Sequence, residues 1–200
     1  VPVLGITGGI ATGKTSFTQT AKAELDATVF DADACARDLV DRDLDIREAL
    51  KERFGARIFG ENGELDRGRL REIVFQDETE RRALEFILHP KIRETWTRIA
   101  ETANARKTWL LIDIPLLFET FAERFFDVIV VIACSRAVQM HRLIAIRKLT
   151  PQVAEEMVES QTPLSEKIQR ADHVLWNDSS PLSFKNQMTV FHSYLTRRYG

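Results

Sequence analysis

The chain has 200 residues, 44% of them hydrophobic, and its 28 basic side chains against 30 acidic ones give a net charge of −2. That length and apolar fraction suit one domain with a continuous core, and the charge lacks the basic excess by which nucleic-acid binders hold phosphate backbones. No apolar run approaches the roughly 20 residues that span a bilayer; Cys35 and Cys134, far apart among apolar neighbours, fit no metal or disulfide spacing, so a cytoplasmic protein without membrane or nucleic-acid partner is expected.

Residues 1–7 open the chain as a strand-like run, with neither the basic stretch nor the apolar core of a signal peptide. Val3-Leu4-Gly5-Ile6-Thr7 is the first predicted strand, a helix is expected over residues 16–25, and Thr28-Val29-Phe30-Asp31 is the second strand. Over residues 36–106 apolar side chains recur at helical spacing, as in Leu70, Ile73, Val74 and then Leu84, Ile87, Leu88, with Asn62-Gly63 marking a turn. This stretch is too long for one crossover helix and reads as a helical insertion. Within it His89-Pro90 is expected to begin a helix, Pro90 taking the first helical position, with a substrate contact as the alternative. Trp109-Leu110-Leu111-Ile112-Asp113 and Val128-Ile129-Val130-Val131-Ile132-Ala133 are the third and fourth strands. Residues 136–167, rich in charge and with Pro151 and Pro163 at helix boundaries, form a second insertion before the fifth strand, His173-Val174-Leu175-Trp176. Short apolar runs without polar alternation, separated by helices, give an α/β fold with a parallel five-stranded sheet. Trp96, Trp109 and Trp176 read as core or edge packing.

Gly8-Gly9-Ile10-Ala11-Thr12-Gly13-Lys14-Thr15 fits G-x-x-x-x-G-K-[ST] at every fixed position, after a strand and before a helix. Glycines let the backbone curl until successive N–H groups face one anion, and the helix adds its positive end. Lys14 carries a charge for the β- and γ-phosphates. The Thr15 hydroxyl and Asp113, at the end of the third strand, are candidate Mg²⁺ ligands. The expected ATP site therefore comprises Gly9, Ile10, Ala11, Thr12, Gly13, Lys14, Thr15 and Ser16, with Asn177 where an adenine-binding loop would lie. Asp113 also fits a cap on the turn before Pro115, and Asn177-Asp178 a simple turn.

A GTP switch would carry D-x-x-G after a later strand and N-K-x-D near the base pocket, and neither is present. Instead Phe30-Asp31-Ala32-Asp33 closes the second strand, at the end of a parallel sheet where α/β proteins bind ligands. On an extended segment Asp31 and Asp33 project to one side, and an acid there can take or orient the proton of an attacking hydroxyl. Asp33 also fits the N-cap of a helix starting at Ala34, and the two roles are compatible. Arg142 and Arg147, on an expected helix after the fourth strand, could meet the charge on a transferring phosphoryl group, with a solvated helix face as the alternative. Arg136 and Lys148 stand behind them. Leu116 and Phe118 belong to a buried turn that could line an apolar part of an acceptor pocket.

Together these pieces resemble the dephospho-coenzyme A kinases over nearly the whole chain. The resemblance rests on Thr7-Gly8-Gly9-Ile10 running into Gly13-Lys14-Thr15, and on Phe30-Asp31-Ala32-Asp33 with Ala36-Arg37. It continues through Phe54-Gly55, Gly63-Glu64-Leu65-Asp66-Arg67, Val74-Phe75, Leu84-Glu85, His89-Pro90 and Pro115-Leu116-Leu117-Phe118-Glu119. It ends with Gln161, Glu166-Lys167, Arg170-Ala171-Asp172 and Asn177. It implies phosphorylation of the ribose 3′-hydroxyl of dephospho-coenzyme A by Mg·ATP, with Asp33 as general base. It also implies a P-loop core at residues 1–35, 107–135 and 168–200, a coenzyme A-binding helical insertion at 36–106 and a lid at 136–167. Ala11-Thr12 stands where the family often has Gly-Ser, a change conservative in size, and Met157 stands where many members have arginine, which shifts weight onto Arg142 and Arg147. Another small-molecule P-loop kinase, for a nucleoside, nucleotide or sugar-like alcohol, is the alternative enzyme; a nucleotide-dependent binding switch is the alternative outside catalysis. The oligomeric state is not legible.

Overall fold

The five apolar runs form strands β1 (Val3–Gly8), β2 (Thr28–Asp31), β3 (Leu110–Asp113), β4 (Val128–Ala133) and β5 (His173–Trp176). The helices are α1 (Lys14–Glu24), α2 (Ala32–Arg42), α3 (Leu44–Phe54), α4 (Arg67–Gln76), α5 (Glu78–Arg106), α6 (Arg136–His141), α7 (Pro151–Glu159), α8 (Leu164–Arg170) and α9 (Pro181–Tyr199). The computed structural model describes residues 2–119 and 122–199, so Val1 and Gly200, the outer limits of the expected core, lie outside the described residues. The strands lie in the order β2-β3-β1-β4-β5. β1 runs parallel to β3 and β4, and β4 parallel to β5.

β4 shows why the strands lacked polar alternation. All six of its residues are buried. Val128, Val130 and Ile132 join Leu4, Ile6, Phe17 and the α9 residues Phe184, Met188 and Phe191 on one face. Ile129, Val131 and Ala133 pack on the other face with Leu117, Phe118 and the α8 residues Leu164 and Ile168. A strand covered on both faces has no solvent side on which to alternate. Phe118, 1% exposed, is thus core and not pocket lining.

The described residues divide into two compact units. One reaches to Phe30 and resumes at Ala100; the other is Asp31–Ile99. The second has its own core of Val40, Ile46, Leu50, Phe54, Leu70 and Leu88, joined by Ile73, Val74, Leu84 and Ile87. The helically spaced residues of the insertion therefore converge on one cluster. The Asn62-Gly63 turn is present: Gly63 has φ 76 and donates its N–H to Gly60 O at 2.9 Å.

Several boundaries differ from those expected. β1 runs on through Gly8, and β3 begins after Trp109, whose carbonyl accepts from Thr28 N–H at 2.8 Å. His89-Pro90 does not begin a helix: Pro90 lies inside the 29-residue α5. A proline there costs one backbone bond, leaving the Phe86 carbonyl open. Phe86 is 81% exposed, so water can supply that bond, while Leu84, Ile87, Leu88 and Ile92 hold both sides of the proline to the same core. Asp33 is not a cap. α2 starts at Ala32, and Asp31 caps it by accepting from Ala34 N–H at 2.8 Å. The chain turns helical between the two aspartates, so they share no extended segment.

Residues 136–167 form α6, a π-helical turn at Arg142–Ile146, α7 and part of α8. Arg136 pairs with Glu155 and Glu159 across α6 and α7, which leaves it a structural role. Lys167 is fully buried, with Nζ 2.8 Å from Glu119 Oε1 and 3.2 Å from Pro115 O. A buried ammonium persists only with such partners, so this pair ties α8 to the segment after β3. No described helix is long and apolar enough to cross a membrane.

Candidate active site

β1 ends at Gly8, and the chain must reverse before α1 starts at Lys14. A Cβ on Gly8 would lie 2.3 Å from Ile132 O, and one on Gly13, at φ 104, would lie 2.2 Å from Asn177 Nδ2. Only glycine fits either place. Gly13 is the N-terminal boundary of α1 and offers no side-chain cap, so the first N–H groups of the helix are left for a ligand.

The loop carbonyls are held, the first from within the loop and the next three from outside it. Gly9 O accepts from Thr12 Oγ1 at 2.9 Å and from Lys14 Nζ at 3.4 Å. Ile10 O accepts from Gln139 Nε2 at 2.8 Å. Ala11 O accepts from Arg142 Nη1 at 3.0 Å, and Thr12 O from Arg142 Nη1 at 3.2 Å and Asn177 Nδ2 at 2.8 Å. In a trans peptide the C=O and the following N–H point in opposite directions. Holding the carbonyls of Ile10, Ala11 and Thr12 outward therefore turns the N–H groups of residues 11–13 the other way, which is how a backbone forms an anion nest, while the Ile10 N–H is taken by Gln161 Oε1 at 3.0 Å. Ala11 has φ 59. For a residue with a Cβ this conformation costs about 1–2 kcal/mol, so the change from glycine, conservative in size, is not conservative in conformation.

Arg142 and Arg147 are brought together by an unexpected turn. In an α-helix residues five apart lie about 140° from one another around the axis. Here Arg147 N–H donates to Arg142 O at 3.1 Å, closing an i→i+5 π-turn that brings both side chains to one cavity. That cavity, about 260 Å³, is lined by residues 11–15, Arg142, Ile146 and Arg147. A larger one of about 890 Å³ shares Ala11, Gly13 and Arg142 with it and continues past Ser16 and Asn177 to Ser179 and Pro181. Arg142 is no free lid arginine: its Nη2 also donates to Asn177 O at 2.8 Å, so it braces the loop while bordering both cavities. Nearby Cys134 has its thiol pushed up to about 11 by burial, with Asp178 adding to the rise and Arg142 opposing it, so it is no nucleophile near neutral pH.

Asp113 ends β3 in register with Ile6 of β1, two residues before Gly8. Its Oδ1 is buried without a hydrogen bond, although the residue has other interactions. Thr15 follows in the first turn of α1 and lines the smaller cavity. A hydroxyl and a carboxylate are hard oxygen donors, which fits Mg²⁺, an ion that binds through one or two protein oxygens and substrate phosphates. Asp33 stands exposed in the first turn of α2, just past the carboxyl end of β2 and in the other compact unit.

Sequence reasoning missed Gln139, the loop contact of Gln161 and the buried Lys167. Gln139 left one signal, a polar residue between Ala137-Val138 and Met140 after the fourth strand.

A family model described as Dephospho-CoA kinase matches residues 2–182. The chain is 38% identical over 189 residues to a Bacillus cereus dephospho-CoA kinase, covering 94% of each chain. Among solved structures it resembles TT1252 of Thermus thermophilus at TM-score 0.81 and 28% identity, covering 96% of this chain and 97% of the other. It also resembles the dephospho-CoA kinase of Campylobacter jejuni at TM-score 0.73 and 25% identity, covering 99% and 98%.

Proposed function

The chain belongs to the dephospho-CoA kinase family, and from that premise we propose how its residues divide the work. The reaction is ATP-dependent phosphorylation of dephospho-CoA in coenzyme A biosynthesis. The observation that carries the assignment is the loop at residues 9–13, in which the carbonyls of residues 10–12 are held outward beside a cavity that Lys14, Arg142 and Arg147 also line.

The loop N–H groups and Lys14 hold the β- and γ-phosphates of ATP. The base and ribose extend into the larger cavity beside Asn177, whose own side chain is spent on Thr12 O. Thr15 and Asp113 would hold Mg²⁺, which when bound neutralises phosphate charge. Asp33 accepts or orients the ribose 3′-hydroxyl proton as that oxygen attacks the γ-phosphorus. ADP leaves from the loop, and residues 36–106 supply the acceptor's binding surface. Arg147 meets charge that spreads over the equatorial oxygens as the phosphoryl group moves.

The two arginines should separate kinetically. Arg142→Ala frees the carbonyls of Ala11 and Asn177, leaves Thr12 O to Asn177 Nδ2 alone, and is expected to raise KM for ATP. Arg147→Ala removes a charge-assisted contact used as the phosphoryl transfers, so kcat should fall about tenfold with ATP affinity nearly kept. Steady-state kinetics and ATP binding for both variants check this. A silent Arg147→Ala, or an unchanged ATP KM in Arg142→Ala, contradicts the division.

A further inference from the structure

Ile10 is gripped at both of its backbone groups. Gln139, buried on α6, donates to its carbonyl, and Gln161, between α7 and α8, accepts its N–H on Oε1 at 3.0 Å. Because the loop partner is a donor, Gln161 must present its oxygen, which fixes the orientation of the amide. Gln161 is anchored in turn. The next residue, Thr162, donates its N–H to Glu119 Oε1 at 3.0 Å, the same oxygen that pairs with buried Lys167.

The grip falls immediately before Ala11, which holds φ 59 without being glycine. A left-handed residue between right-handed neighbours is what aims successive N–H groups at one anion. Glycine would hold that conformation unaided; alanine relaxes from it unless the residues on each side are fixed. Arg142 fixes the following peptide through Ala11 O, and the two glutamines fix the preceding residue.

We propose that Gln161 is a positioning residue for phosphoryl transfer: by holding the Ile10 N–H it keeps Ala11 in the left-handed conformation on which ATP phosphate binding depends. The proposal rests on the reading of residues 9–16 as the ATP phosphate site. It makes the effect of Gln161 conditional on the residue at position 11, which a general role in packing α7 against α8 would not.

The test measures Mg·ATP dissociation constants and melting temperatures for the intact protein, Gln161→Ala, Ala11→Gly and the double variant. Gln161→Ala is expected to weaken ATP binding about tenfold, the scale of the released strain, while the unliganded melting temperature stays close to the parent's. In the Ala11→Gly background the same substitution should cost less than about threefold, because neighbouring residues that act as a unit are non-additive. Gln161→Met, similar in size but without a strong acceptor, is expected to behave as Gln161→Ala and replaces it if that variant does not fold. Equal losses in both backgrounds, or no loss on removing Gln161, overturn the proposal. A Lys14→Ala arm keeps the two readings apart. Undiminished ATP binding there would sink the phosphate-site assignment itself, whereas lost binding there beside intact binding in Gln161→Ala sinks only the role of Gln161.

Discussion

Asp33→Asn is expected to lower kcat by about 10²–10⁴, the range for losing a general base, while ATP affinity stays near the parent value. Asparagine keeps the shape of the side chain but can neither take a proton nor carry the charge that orients a hydroxyl donor. The structure separates this substitution from the cap of α2. Had Asp33 capped α2, any loss could have been shared with helix stability. Asp31 holds that position, accepting from Ala34 N–H at 2.8 Å, and Asp33 stands exposed in the first turn of the helix. Loss of a first-turn acid from a helix costs about 0.3–1 kcal/mol, too little to unfold the protein. Asp31→Ala is the complementary control: it should cost about 1 kcal/mol through the lost cap. Turnover and ATP titration on both variants decide the point, and near-parental kcat in Asp33→Asn would remove Asp33 from the chemistry.

Lys14→Ala is expected to lower kcat/KM for ATP by about 10³, the upper range for removing one preorganised group that faces developing charge. Its stability should change by about 0.5 kcal/mol or less, as for a surface position. Lys14 opens α1, is only half-buried and belongs to none of the hydrophobic clusters of the core. A core truncation would instead cost about 2–5 kcal/mol. Thermal melts beside steady-state kinetics separate the two cases. A loss of several kcal/mol would make Lys14 a structural residue.

The strands were legible because double burial leaves a signature that survives in one dimension. β2, β4 and β5 fall on their predicted residues, and the misplaced ends of β1 and β3 are by one residue each. The phosphate loop was legible because glycine and lysine spacing carries its own mechanism. Pro90 misled, because the rule for proline at helix starts is local, whereas packing of Leu88 and Ile92 on either side decides whether a helix tolerates it. Arg142 and Arg147 were found as charges but not as geometry. Nothing in their spacing announces a π-turn, which alone brings residues five apart to one cavity. The strain at Ala11 was equally hidden, since residue size is visible in a sequence and φ is not.

The most direct measurement of the account is ADP formation with Mg·ATP against a panel of acceptors: dephospho-CoA, adenosine, AMP and shikimate, with a blank. Dephospho-CoA alone is expected to raise turnover well above the blank, with coenzyme A as the product identified by mass. Equal ADP release with and without dephospho-CoA, or stronger stimulation by another acceptor, would contradict it.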